Sequence, residues 1–326
     1  MLTKAQLAAA IDQADVRIGE HIRRTPVEPS PWLSAATGAD VHFKLENHQL
    51  TGSFKLRGAL NRILASDDAT RQRGFVAAST GNHGLAMAHA AGRVDAGVTV
   101  FVPSTAAAAK IDLLEAQGVE VRRSGEDCTE AEIAARAYAS DHDQTYVSPY
   151  NDPAVVAGQG TLGAELSRQL PALDAVFVAL GGGGLIAGVA SYLKAARPET
   201  EVVGCSPVNS AVMAHSLTAG RILDLPSEPT LSDGTAGGVE VGSITFDLCR
   251  ELVDRCELVT EGAIADALRQ FTTRHHSLIE GAAAVPIAAL LAADGRLAGK
   301  RVAVVLCGAN IAPSTLAGLL AETPAS

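Results

Sequence analysis

From Gly74 onward, short β-branched runs alternate with Ala-rich, helix-compatible stretches: Phe75–Ser79, Val98–Val102, Val119–Arg123 and Thr145–Ser148, each separated by ten or more residues. That alternation predicts βαβ units. It resumes at Ala175–Leu180, Val202–Gly204 and Val302–Leu306, whose near-continuous apolar character suits parallel strands covered on both faces. At the N-terminus, Leu7, Ile11, Ile18 and Ile22 recur at helical spacing between Asp12, Asp15 and Glu20. The fold class read from this pattern is α/β, a two-domain architecture of parallel sheets. Residues 73–149 make a compact four-strand unit, and residues 1–72 and 150–326 together make a larger, discontinuous domain. A cleft between two such units is where small ligands usually sit. The stretch from Pro226 to Gly242 carries neither period and is the most loop-like segment.

A chain of 326 residues, 47% hydrophobic and 19% charged with 31 glycines, can bury a substantial core and gives no sign of disorder. The net charge of -10 argues against sequence-independent binding to nucleic acid or an anionic membrane, both of which need clustered Lys and Arg. The five cysteines, Cys128, Cys205, Cys249, Cys256 and Cys307, show no paired C-x-x-C spacing, which fits a reducing cytoplasm. No uninterrupted apolar segment has the length of a signal peptide or a membrane span, so no membrane partner is expected.

Four constellations carry candidate chemistry. In Gly181-Gly182-Gly183-Gly184 an apolar run meets a helix-compatible one, which places free backbone N–H groups at a helix N-terminus. A tight turn rarely needs four glycines, so an anion cradle, for phosphate above all, is the better reading. A dinucleotide fingerprint can be forced through Gly182, Gly184 and Ala187, but the acidic residue it requires about twenty positions on is replaced by Cys205-Ser206-Pro207. In Thr51-Gly-Ser-Phe-Lys55-Leu-Arg-Gly58, a lysine precedes a helix rich in Leu and Ile. A lone lysine is usually solvated, yet the neighbours Ser53, Phe54 and Gly58 can desolvate the amine, as an imine-forming lysine requires. Ser79-Thr80-Gly81-Asn82-His83-Gly84 follows a strand and precedes a helix. It is either a cradle for a substrate carboxylate or a helix start capped by Asn82, and His83 is given no proton-transfer role. Cys307, in Leu306-Cys307-Gly308-Ala309-Asn310, ends another strand and is a candidate pocket wall.

Taken together and in this order, the four motifs resemble those of the fold-type II pyridoxal-phosphate enzymes, the group of threonine dehydratase, serine dehydratase and serine racemase. The resemblance runs from Lys44 to Asn310 and includes Ser148-Pro-Tyr-Asn-Asp-Pro153, Gly158-Gln-Gly-Thr161 and Ile279-Glu280-Gly281. It implies pyridoxal 5'-phosphate as cofactor, held covalently by Lys55 with Phe54 beside it. Gly181, Gly182, Gly183 and Gly184 would take its phosphate, Asn82 its ring 3-oxygen, and Cys307 would face its ring nitrogen. Ser79, Thr80, Gly81, Asn82 and His83 would receive the substrate carboxylate, with Asn151 and Tyr150 near the substrate side chain. A thiol at Cys307, unlike a carboxylate, would leave the ring nitrogen largely unprotonated and favour prompt loss of a β-substituent. The implied activity is a lyase one, α,β-elimination of a β-hydroxy amino acid to a keto acid and ammonia.

His83 after Gly-Asn resembles dehydratases and racemases, whereas synthases of the superfamily carry Thr there. Thr80 supplies a hydroxyl where biosynthetic threonine dehydratases often have Ala, so racemization of a serine-type substrate stays open. Racemase-like members bind a divalent cation through a Glu-Pro where this chain has Ser206-Pro207. A metal site is therefore expected to be absent or weakened, although Asp233 is a possible carboxylate source. The chain ends soon after Asn310, so no feedback-regulatory domain is expected. Ser-Pro-Tyr-Asn-Asp-Pro and Leu231-Ser-Asp-Gly-Thr-Ala-Gly-Gly238 resemble a subgroup named for hydroxyectoine utilisation. By resemblance alone, the expected assembly is a homodimer.

Overall fold

The structure, a computed structural model, describes residues 4–293 and 295–321. Two sheets organise the described residues. The larger has six strands in the order β1-β2-β10-β7-β8-β9. These are β1 (Val27–Pro29), β2 (Asp40–Leu45), β7 (Ala175–Ala179), β8 (Glu201–Pro207), β9 (Arg255–Val259) and β10 (Arg301–Leu306). The smaller has the order β5-β4-β3-β6 and comprises β3 (Phe75–Ala78), β4 (Val98–Val102), β5 (Glu120–Arg123) and β6 (Thr145–Tyr146). Every neighbouring pair is parallel except β1 with β2, where Val27 stands opposite Lys44. The sheet is thus parallel with one antiparallel edge, a common finish for a doubly covered sheet.

The seven expected strands are all present, and the structure adds β1, β2 and β9. Each had a physical reason to escape notice. β1 is a three-residue edge strand ending in Pro29, β9 is mostly part-exposed along Arg255–Leu258, and β2 carries His42 and Lys44 inside its apolar run. The segment 226–242 holds only a short 3-10 turn, Asp233–Thr235.

Phe43, Phe177, Phe271, Leu33 and Ile287 belong to the core around the six-stranded sheet. Phe75, Val100, Val102 and Met87 belong to a second core on the four-stranded sheet. Leu56, Leu60 and Ile63, on the inner face of helix Lys55–Leu64, enter this second core together with Ile18 of helix Lys4–Ile18. The helix that begins with Lys55 therefore leaves β2 of one sheet and buries its apolar stripe against the other. The loops after β3, β7 and β10 all leave carboxyl ends of parallel strands, where open α/β sheets place ligands. Among the described residues no helix is long and apolar enough to cross a membrane.

Candidate active site

Lys55 is the first residue of its helix, and the loop before it is pinned to the segment after β10. Phe54 N donates to Cys307 O at 3.0 Å, Ala309 N to Gly52 O at 2.8 Å, and Asn310 Nδ2 to Thr51 O at 3.0 Å. The amine donates to the carbonyl of Pro149 at 3.0 Å and lies 5.3 Å from the centre of the Phe54 ring. Although the residue as a whole is half-buried, protein surrounds Nζ closely enough for desolvation to lower its pKa to about 8, against the opposing pull of Cys307 and Glu280. That is the environment an amine nucleophile needs.

The loop after β3 leads into helix Asn82–Gly92, and Ser79 Oγ accepts from Gly81 N at 3.2 Å. Asn82 does not cap this helix. Its Nδ2 instead reaches the carboxylate of Glu280 at 3.0 and 2.9 Å, and its Oδ1 accepts from Asn310 Nδ2 at 2.5 Å. The local-cap reading of Asn82 is thereby replaced by a contact across the two sheets. His83 is buried with Nε2 on Val147 O at 2.9 Å, and desolvation, followed by the nearby Lys55, lowers its pKa to about 3. It is a neutral, structural imidazole whose backbone is the part left for a ligand. Thr80 is half-buried, and among the described residues its hydroxyl has no hydrogen-bond partner.

The glycine loop joins β7 to helix Gly184–Ala196. Gly183 takes φ 86°, a conformation that side chains resist, and so turns the chain into the helix. At Gly182 a Cβ would sit 2.5 Å from the ring of Tyr150, so only glycine admits that ring. Thr245 Oγ1 holds the Gly182 carbonyl at 2.6 Å. The first N–H groups of the helix face this turn with no intrahelical partner.

Tyr150 and Asn151 are held in turn by Glu240, on the 226–242 loop. Glu240 N donates to Tyr150 Oη at 3.0 Å, while its carboxylate accepts from Asn151 Nδ2 at 2.9 Å and Ser148 Oγ at 3.3 Å. Arg136, on helix Cys128–Asp141, pairs with the same carboxylate at 3.0 Å. Asp233 pairs with Lys110 at 3.9 Å. The loop thus carries two ion pairs to elements of the four-stranded sheet.

Glu280 is the residue that reasoning from the residues did not single out. It is buried, and besides Asn82 it meets Cys307 Sγ at 3.8 Å and Asn310 N at 3.2 Å. Desolvation raises its pKa despite the hydrogen bond from Asn82, and burial pushes the Cys307 thiol up as well. A carboxylate therefore stands against Cys307, where the sequence offered only a thiol. One signal existed: an acid preceding the apolar run Gly281–Leu291 and following Ile279 is placed for burial, and buried carboxylates need partners. Ser206, at the expected metal position, is buried with Oγ on Leu180 O at 2.7 Å. Among the described residues no group of three or more His, Cys, Asp or Glu side chains is arranged to hold a metal ion.

Comparison with known proteins agrees with this geometry. The L-threonine ammonia-lyase of Thermotoga maritima is 39% identical over 301 residues, covering 92% of this chain and 75% of that protein. Among solved structures, a processed threonine deaminase from Solanum lycopersicum superposes with a TM-score of 0.93 at 33% identity, covering 98% of this chain and 94% of its own. A maize serine racemase superposes with a TM-score of 0.91 at 31% identity, covering 95% of each chain. The family pattern described as "Pyridoxal-phosphate dependent enzyme" spans residues 18–308, which takes in Lys55, the loop of Asn82, the glycine turn and Cys307 alike, and the chain belongs to that family.

Proposed function

We propose that this protein is a pyridoxal-phosphate-dependent ammonia-lyase that converts a small β-hydroxy amino acid to a keto acid and ammonia. The observation that carries the reading is the desolvated Lys55 amine, its pKa lowered to about 8, placed on the Pro149 carbonyl and near enough to His83 to act on its charge. The residues present fit the cofactor: a nucleophilic buried amine, a glycine cradle in which a Cβ at Gly182 would strike Tyr150, and a polar amide at Asn82. Lys55 and Phe54 would hold it at one end, Gly181, Gly182, Gly183 and Gly184 at its phosphate, and Asn82 and Cys307 around its ring. When bound, that group withdraws electrons from the α-carbon and so acidifies its proton.

The chain supplies the rest. Lys55 would be the base for the α-proton, since a lysine whose pKa is near 8 keeps a neutral fraction at physiological pH that an ordinary lysine, near 10.5, does not. The backbone of Ser79, Thr80, Gly81, Asn82 and His83, at the start of helix Asn82–Gly92, would receive the substrate carboxylate. Asn151, fixed at both ends by Glu240 and Ile244 N, would stand near the substrate side chain.

We also read residues 73–149 as a small domain and residues 1–72 and 150–326 as a large one, a division supported by the two separate sheets. A homodimer and a hydroxyectoine-derived substrate rest on family resemblance, and a cytoplasmic location on the unpaired spacing of the cysteines. A second reading, amino-acid racemization, is favoured by the free hydroxyl of Thr80 beside the Asn82 loop.

The test is release of keto acid and ammonia by the cofactor-loaded protein from L-threonine, L-serine, both 3-hydroxyaspartates and a hydroxydiaminobutyrate. Release from threonine or serine is the expected result for a general dehydratase, and release from the hydroxydiaminobutyrate alone would narrow the substrate to the hydroxyectoine type. Turnover that survives Lys55→Ala would overturn the proposal.

A further inference from the structure

We infer that Glu280 is a positioning residue of this site: its carboxylate, clamped between Asn82, Cys307 and the Asn310 backbone, fixes which way the Asn82 amide points. The inference rests on the cofactor reading above. An ionised carboxylate accepts and never donates, so the side of Asn82 that faces Glu280 must be Nδ2. Asn310 Nδ2 on Asn82 Oδ1 enforces the same orientation from the other side. Both Glu280 contacts run to one carboxylate, so a single N–H shared between its two oxygens satisfies them. The other N–H of the amide is left to donate to a ligand oxygen, and an amide turned the other way would present an acceptor there.

The fold makes room for this device. A Cβ on Gly308 would lie 2.6 Å from Glu280 Oε1, so the carboxylate occupies the space that glycine leaves open. Glu280 N also donates to Gly308 O at 2.9 Å, which ties the start of helix Gly281–Leu291 to the segment after β10. Charged and titratable groups reach the carboxylate from several elements: Cys307 after β10, Asp233 on the 226–242 loop and Lys55 on its helix. Burial, foremost, and Asp233 favour protonation, while Asn82, Asn310 N–H and Cys307 oppose it. Protonation would give Glu280 a donor of its own and release the amide, so the setting of Asn82 is sensitive to acid.

The test uses the holoenzyme of Glu280→Gln, a near-isosteric change that removes the charge and admits either amide orientation. Its cofactor dissociation constant should rise about tenfold, the loss expected for one charge-assisted hydrogen bond. The acid-side transition in the visible absorbance of the bound cofactor should disappear, while the thermal unfolding midpoint stays near that of the parent. Gly308→Ala, which keeps the acid but displaces it, should weaken cofactor binding in the same direction and serves if the Gln variant does not fold. Parental cofactor affinity and an unchanged spectral pH profile in both variants would overturn the inference. A parent protein that loads cofactor but releases no keto acid would defeat the lyase reading alone, and one that forms no visible cofactor band would defeat both.

Discussion

Arg57 and Glu46 form a two-pronged ion pair, Nε to Oε2 and Nη2 to Oε1, each at 2.8 Å, and neither side chain is exposed. Arg57 also meets Glu165, Nη1 to Oε1 at 2.9 Å and Nη2 to Oε2 at 3.0 Å, and Lys44 shares Oε2 at 2.6 Å. Two cations and two anions thus neutralise one another inside the protein, two residues along the helix from Lys55. Desolvation is the largest influence on Glu46, yet Arg57 and Lys44 hold its carboxyl below the usual range.

Removing one member strands the others, which decides the sign for Arg57→Ala. Loss of about 3–5 kcal/mol is expected, the cost of an uncompensated buried charge, and urea denaturation of the variant measures it. Because the folded pKa of Glu46 is depressed, its contribution is complete above the ordinary carboxylate range and is lost as pH falls through the lowered value. Parental stability in the variant would show that the quartet does not anchor the helix of Lys55.

The lowered pKa of Lys55 makes a kinetic prediction. Only the neutral amine attacks a carbonyl, so the rate at which cofactor-free protein takes up pyridoxal phosphate should climb with pH through a midpoint near 8. An ordinary lysine would place that midpoint near 10.5. Stopped-flow absorbance between pH 6 and 11 separates the two. In the cofactor-free protein the unfolded chain binds more protons at this residue across the same window, so Lys55 also makes stability rise with pH there.

Ala175–Leu180 and Val302–Leu306 are legible in the sequence because strands buried on both faces must be apolar throughout, and the glycine turn because Gly183 needs a positive φ. Lys44 in β2 and Arg57 were not legible as a pair: they pack on Glu165 more than a hundred residues away, and nothing local encodes that meeting. Asn82 reads from the sequence as well as a helix cap as it does as part of a carboxylate cradle, since capping is common for asparagine at a helix start, and only the fold brings Glu280 within reach.

At the glycine turn, Gly182→Ala puts a methyl group 2.5 Å from the Tyr150 ring. Either the ring or the turn must shift, and both border the proposed phosphate cradle. Cofactor affinity should fall at least tenfold, while far-UV circular dichroism stays parental because the strand and helix on each side keep their own cores. A variant that binds cofactor as tightly as the parent would move the phosphate elsewhere.

Thr80 separates the two catalytic readings. In the racemase reading its hydroxyl would deliver a proton on the face opposite Lys55, so Thr80→Ala should abolish any racemization while elimination persists within about tenfold. Chiral chromatography of the remaining substrate, run beside the keto-acid assay, reads both outcomes. Racemization that continues in the variant would remove Thr80 from that role.

Glu240 offers the prediction that concerns closure over the substrate. Its carboxylate joins Arg136 of the small-sheet layer to Asn151 and Ser148, and its backbone holds Tyr150, so the 226–242 loop and the side-chain end of the site are fastened together. Arg136 and Glu240 are both partly exposed, and such a pair is worth little to global stability. Its effect belongs on substrate binding. Glu240→Gln should raise KM several-fold with cofactor affinity and unfolding midpoint unchanged. Because salt screens an exposed pair, the KM of the parent should also rise between low and high ionic strength, and that of the variant should respond less. Equal salt dependence in the two proteins would mean that the pair does not govern access to the site.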